Sequence, residues 1–328
     1  IQFYIVAAQQ YAIFRTGYTG VGLLFEKLSG FSKDKANLIL DVSAYIDKDS
    51  YKCISKQDNK IIESENSLSK INPNLYIENY DVDAIHFDDY FYISGVETDK
   101  SGDWKREQVD LFIEDLSNQI RSYNKEHNKA IQLGISPSGI YQNGGYSTTP
   151  KYDSNGNLTS PLYSNTAGFA HYGNYLYSDT LKWINNEWID YILPQCYWSL
   201  EHPLCAYADL LEWWDKVVKY KDVNLYSGIG LHQNGGSASS VYSWSSYTEA
   251  YHEIMYANKL ENVDGVCFFS YKNVEAAVNN PTLMTNVKGI YSTPSILPEI
   301  KYGESVVPEK VGDLVVTKND AGFKLSFN

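Results

Sequence analysis

The chain has 328 residues, 43% hydrophobic and 20% charged, the composition of a folded globular protein with room for a large core. A net charge of −13, with only three arginines (Arg15, Arg106 and Arg121), argues against nucleic acid as a partner, because so acidic a chain repels a phosphate backbone. No apolar run approaches the ~20 residues of a membrane-spanning helix.

The chain opens at Ile1 without a methionine or a basic-then-apolar leader, as a fragment or processed chain would, so the missing leader does not bear on export. Residues 1–79 offer three short strand candidates, "IQFYIVAA", "VGLLF" and "NLILDVSAYI", then the polar run "SKQDNKIIESENSLSKINPN". That is too little chain for three full strand–helix units, so this part of the fold is expected to be compressed or incomplete.

From Tyr80 the pattern becomes regular. "VDAIHFDDY" reads as a strand. "DWKREQVDLFIEDLSNQIRSYNKEH" places Val109, Phe112, Ile113, Leu116, Ile120 and Tyr123 on one helical face. "AIQLGIS", Ala130–Ser136, is the next strand. A polar, Gly- and Ser-rich stretch from Pro137 to about Tyr175 is long enough for a functional rim or lid. "SDTLKWINNEW" is a short helix with Ser178 or Asp179 as its cap. "IDYILPQCYW" is a strand ending near Trp198, and "YADLLEWWDKVVKY" is amphipathic through Tyr207, Leu210, Leu211, Trp214, Val217 and Val218. "NLYSGIGLH", "YTEAYHEIMYANKL" and "VDGVCFFSY" continue as strand, helix, strand.

This alternation predicts a parallel sheet in an α/β fold. At this length the expected architecture is a (β/α)8 TIM-type barrel over residues 1–292, atypical in 1–79. The proline-rich stretch 293–309 reads as a linker. "VGDLVVTKNDAGFKLSFN" alternates like two strands around an Asn-Asp-Ala-Gly turn, the start of a β-sandwich module over 310–328.

"YDVDAIHFDDYFY" sets four aspartates and a histidine in an apolar, aromatic run. Alternation along the strand puts Ile85 and Phe87 on one face and Ala84, His86 and Asp88 on the other. The second face grows polar toward the C-terminal end, where barrel active sites lie. Asp88 is thus aimed at the mouth, His86 sits one layer below it, and Asp89 starts the following loop. His86 fits a core role as readily as a functional one. The other strand ends bring Ser136, Gln195, Tyr197, His232 and Tyr271 to the same level, with Asn143 and Trp198 on the adjoining loops. By parity Trp198 fits the core as well as the site. Polar groups and aromatic platforms around an acid suit a carbohydrate. The 29 tyrosines fit that reading, and equally a compositional bias. Cys53, Cys196, Cys205 and Cys267 show no CxxC spacing, and Cys196 and Cys267 read as buried strand residues.

The segments "YDVDAIHFDDYFY", "LGISPSGIYQN", "WIDYILPQCYW", "ADLLEWWDKVV", "LYSGIG" and "DGVCFFSY" together resemble the glycosyl hydrolase-like ten family, over about Tyr80 to Pro298. The resemblance implies a bacterial protein acting on cell-wall glycan, specifically peptidoglycan strands stripped of peptides, exported or held at the cell surface. Such proteins often carry a fibronectin type III-like module, which the tail resembles. It also supports Asp88 and Asp89 as the acidic centre. Gln142 stands where the family usually has arginine.

The expected chemistry is glycosidic hydrolysis by carboxyl groups. Asp88 is the first candidate, as nucleophile or base, with Asp89 or Glu201 as its partner and Glu97 a weaker one. Substrate contacts are expected from His86, Tyr90, Ser136, Asn143, Gln195, Tyr197, Trp198, His232 and Tyr271. No cofactor or metal is expected. A glycan-binding protein without catalysis is the alternative. A metal-dependent hydrolase using His86, Asp88 and His232 is disfavoured, because no HxH or HExxH spacing occurs.

Overall fold

The computed structural model describes residues 82–89, 91–92, 98–146, 149–173, 176–233, 248–277 and 279–292, together with 4–6, 44–46, 53–55, 298, 300, 312, 315–319 and 322–326. In chain order the elements begin with β1 (Tyr4–Val6), β2 (Ala44–Ile46), β3 (Cys53–Ser55) and β4 (Ala84–Phe87). Next come α1 (Gly102–His127), β5 (Gln132–Ile135), the short strands β6 (Asn143–Gly144), β7 (Lys151–Tyr152), β8 (Leu158–Ser160) and β9 (Ser164–Asn165), and α2 (Thr180–Asn185). The chain continues through β10 (Tyr191–Ile192), α3 (Tyr207–Val218), β11 (Asn224–Ile229), α4 (Glu249–Ala257) and β12 (Gly265–Phe268). It closes with α5 (Tyr271–Ala277), α6 (Pro281–Ile290), β13 (Val315–Asn319) and β14 (Gly322–Ser326).

Strands β1, β4, β5, β10, β11 and β12 form one sheet in that order, every pair parallel. The protein is thus a mixed α/β fold in which helices α1 to α4 link the successive parallel strands from β4 to β12. Among the described residues β1 and β12 are the two edges and do not pair with each other.

The N-terminal strand candidates divide. Tyr4–Val6, within "IQFYIVAA", joins the sheet beside β4, with Tyr4 opposite Ala84. Ala44–Ile46, within "NLILDVSAYI", instead pairs antiparallel with β3, so it is a hairpin strand and not a member of the parallel sheet. "VGLLF" lies outside the described residues.

Helix α1 begins at Ser101, whose Oγ accepts from Trp104 N at 3.1 Å. It ends at Asn128, in the left-handed conformation at φ 51°. The Asn124 amide then clamps the entry to β5, donating to Ile131 O at 2.8 Å and accepting from Ile131 N at 2.9 Å. The helix lays Val109, Ile113, Leu116 and Ile120 on the sheet, all almost wholly buried. Each such side chain contributes about 2 kcal/mol of apolar burial. Phe112 of this helix meets Phe87 edge-on at 5.9 Å, which fixes Ile85 and Phe87 on the helix-covered face. Helix α2 is capped by Asp179, which accepts from Lys182 N at 3.1 Å and from Tyr141 Oη at 2.8 Å.

Three sequence expectations are corrected here. The strand predicted to run to Trp198 is regular only over Tyr191–Ile192. Pro194 lacks an N–H, and pairing resumes as single bridges from Gln195 to Ser138 and Gly228. The 137–175 stretch is no structureless lid: it carries strands β6 to β9 and is anchored to α3. The Trp214 indole donates to Gly139 O at 2.8 Å, the Trp213 indole donates to Pro161 O at 3.0 Å, and Tyr141 stacks on Trp213 at 5.6 Å. Cys267 is exposed rather than buried, on β12, an edge of the sheet among the described residues; Cys196 is wholly buried.

Candidate active site

The register of the sheet fixes what lies on the face opposite the described helices. His86 pairs with Gly134, Gly134 with Tyr191, and Tyr191 with Asn224, so these residues share that face, and Tyr226 joins them two positions on. The Tyr191 ring lies over Gly134, where an added Cβ would sit 1.8 Å from Cζ, so only glycine fits. Tyr191 Oη is 3.0 Å from His86 Nδ1, and the two rings stack at 5.6 Å. Burial lowers the His86 pKa to about 4 and keeps the imidazole neutral. His86 therefore belongs to a packed layer with Tyr191 and Tyr226, beneath the polar groups at the strand ends.

Above that layer β4 delivers Asp88 and Asp89, both half-buried. Asp88 Oδ1 accepts from Asp89 N at 2.9 Å and from Gln195 Nε2 at 2.6 Å. The same Nε2 donates to Ser136 O at 3.0 Å, and Ser136 Oγ donates to Leu193 O at 2.9 Å. The Asp89 pKa is pushed up to about 7. Burial is the main cause, followed by the negative charge of Asp88 and the hydrogen bond to it. One carboxyl of the pair is thus charged and the other keeps its proton up to neutral pH.

An aromatic group stands beside the pair. Tyr197 stacks on Phe269 at 5.6 Å, and His232 meets both rings edge-on, at 5.7 Å from Tyr197 and 5.5 Å from Phe269. Burial, then the charge of Asp88, holds the Tyr197 phenol well above its ordinary pKa, so it stays protonated. The group is braced from below: Gln233 Nε2 donates to Tyr197 O, and Gly230 leaves space where a Cβ would come within 3.1 Å of Tyr197 Cβ.

The structure thus brings Asp88, Asp89, Ser136, Gln195, Tyr197 and His232 together at the ends of β4, β5, β10 and β11. Other candidates stand apart. Both ends of the Asn143 amide are taken by its own loop, donating to Gly168 O at 2.8 Å and accepting from Gly168 N at 2.9 Å. Trp198 is half-buried, its ring edge 3.1 Å from where a Gly139 Cβ would be. Glu201 is exposed on the turn before α3. Tyr271 is 75% exposed and opens α5, because β12 stops at Phe268. Tyr90 and Glu97 lie outside the described residues. Sequence reasoning named Tyr271 rather than Phe269 as the contact from this strand, and it missed Gln233. Strand parity pointed to Phe269; nothing local marks Gln233. Among the described residues no group of three or more His, Cys, Asp or Glu side chains is placed to hold a metal ion.

Acid, neutral amide and aromatic rings converging at strand ends are shared by many sugar-handling sites, and comparison with known proteins narrows the choice. Residues 93–246 match the family model of glycosyl hydrolase-like 10. The matched segment is similar to that family. It begins just beyond the aspartate pair and takes in Ser136, Gln195, Tyr197 and His232. The chain is 30% identical to glycosyl hydrolase YngK of Bacillus subtilis (strain 168) over 269 residues, 75% of this chain and 48% of that protein. It is 30% identical to glycosyl hydrolase DigH of Escherichia coli (strain K12) over 183 residues, 51% of this chain and 38% of that protein. The chain therefore spans half or less of the length of these curated relatives. A solved chitinase from Ipomoea carnea overlaps 69% of this chain and 67% of its own at 14% identity, with a TM-score of 0.36, too slight a likeness to argue from.

Proposed function

We propose that this protein hydrolyses glycosidic bonds in a bacterial cell-wall polysaccharide, with peptide-free peptidoglycan strands as the substrate, outside the cell or at its surface. The observation that carries the proposal is the neighbouring Asp88–Asp89 pair, held by Gln195 and with one member protonated near neutral pH, beside the Tyr197–Phe269 stack. Supporting it is the likeness to relatives named glycosyl hydrolases. On this reading the six parallel strands are part of a (β/α)8 barrel over residues 1–292. Residues 293–309 are a linker, and the β13–β14 hairpin opens a fibronectin type III-like module over 310–328.

Carboxyls on neighbouring residues of one strand end do not face each other across a bond as a flanking pair ~5 Å apart does. Both therefore work from one side of the sugar. Asp89 gives its proton to the bridging oxygen as the carbon–oxygen bond breaks, and the negative charge of Asp88 stabilises the cation-like sugar that develops. Water adds to that carbon and gives a proton to the Asp89 carboxylate just formed, which restores the acid for the next turnover. Tyr197 and Phe269 supply the apolar surface for the sugar face.

The test is release of reducing ends from purified peptide-free glycan strands, with peptide-bearing peptidoglycan, chitin and cellulose in parallel. Cleavage of the peptide-free strands in preference to the other three supports the proposal. Binding of the strands without any new reducing end would make the protein a glycan-binding module.

A further inference from the structure

We propose, on the hydrolase reading above, that Gln195 is a positioning residue for the aspartate pair: its side-chain amide, unable to turn round, keeps the negative charge on Asp88 and the proton on Asp89. The amide nitrogen has two hydrogens, and both are engaged, one by Asp88 Oδ1 at 2.6 Å and one by Ser136 O at 3.0 Å. A flipped amide would set its oxygen against both of these acceptors, at the cost of two bonds and two repulsive contacts.

The acceptors are themselves fixed. Ser136 N donates to Phe87 O at 2.7 Å and Ser136 Oγ to Leu193 O at 2.9 Å, so the carbonyl that orients Gln195 is tied to β4 and to the end of β10. Gln195 N donates to Pro137 O at 2.9 Å, which pins the backbone from which the side chain reaches. Asp88 Oδ1 therefore receives two N–H groups, from Gln195 and from Asp89. Donors of that kind stabilise a carboxylate and have no counterpart that would stabilise the acid. The proton shared by the pair is thereby directed to Asp89, the group suited to give it away. Among the described residues, the Tyr197 phenol beside the pair is protonated, His86 beneath is neutral and bonded to Tyr191, and His232 is in ring contact with Tyr197.

Gln195→Met keeps the length of the side chain and removes both donors. We expect the acid limb of the kcat/KM profile on peptide-free glycan to move up by about one pH unit, a tenfold change in proton affinity, as loss of a hydrogen bond to a charged group implies. KM should change little. A residue that merely fills space would lower kcat/KM at every pH without moving the limb. A second reading does not need turnover: carboxyl signals of carbon-13-labelled aspartate, assigned with Asp88→Asn and Asp89→Asn, should titrate about one pH unit higher in Gln195→Met. If Gln195→Met does not fold, Gln195→Glu serves instead, since a third carboxyl against Asp88 raises the same titration further. Unmoved carboxyl titrations overturn the positioning role, whatever the activity. A shifted titration in a protein without turnover keeps that role and refutes the hydrolase reading.

Discussion

Replacing Asp89 by asparagine gives a permanent copy of its protonated form, and its effect on stability follows from the pair's geometry. In the unfolded chain an aspartate loses its proton near pH 3.8; in the folded protein Asp89 keeps it to about pH 7. Between those values the unfolded state is ionised and the folded state is not, so rising pH favours unfolding. The separation corresponds to about 4 kcal/mol, at about 1.4 kcal/mol per pH unit. Below the unfolded value the group contributes no pH dependence, and above the folded value the loss is complete and constant. The substituted side chain has no proton to lose, and its amide still donates to Asp88. Guanidinium unfolding of both proteins, followed by tryptophan fluorescence between about pH 4 and 8, gives the difference directly. The stability of Asp89→Asn relative to wild type should rise with pH and level off near neutrality, by a total of about 4 kcal/mol. A difference that is flat across this range, or that falls, would refute the claim that Asp89 is held neutral.

Glu253 of α4 is wholly buried and, among the described residues, has no hydrogen-bond partner for either carboxyl oxygen, and burial followed by the nearby Glu249 charge raises its pKa well above the ordinary range. Glu253→Met should therefore stabilise the protein at alkaline pH by about 2 kcal/mol in the same unfolding assay, with the gain fading as pH falls and the carboxyl is neutral in both states. Gly134→Ala forces a methyl group into the Tyr191 ring and should cost about 3 kcal/mol by denaturant titration. Phe269→Ala removes the ring stacked on Tyr197 and should raise KM for glycan about tenfold with kcat nearly unchanged, since the lost contact is made to the bound sugar before and during reaction.

The long amphipathic segments were legible because burial imposes a period. Val109, Ile113, Leu116 and Ile120 lie on the sheet, and Leu210, Leu211, Trp214 and Val217 are buried, as their spacing predicts. Asp88 was legible for a related reason: strand alternation separates it from Phe87, which packs on α1. The ends of elements were less so. Pro194 interrupts β10 through a missing N–H, yet bridges carry the strand direction on to Gln195, which a count of apolar residues does not show. Tyr271 was misjudged because β12 stops after Phe268, and the side chain that meets Tyr197 is Phe269. Asn143 was expected as a substrate contact, whereas Gly168 engages its amide at both ends. Such partners are distant in sequence, and residue type alone does not reveal them.

The most direct test of the account is Asp88→Asn, which keeps the shape of the side chain and removes the charge that both stabilises the transition state and holds the proton on Asp89. Its melting and its affinity for peptide-free glycan strands are expected to stay close to wild type, while reducing-end release falls by at least about a thousandfold. Turnover that survives the substitution, with glycan binding intact, would place the chemistry elsewhere on the protein.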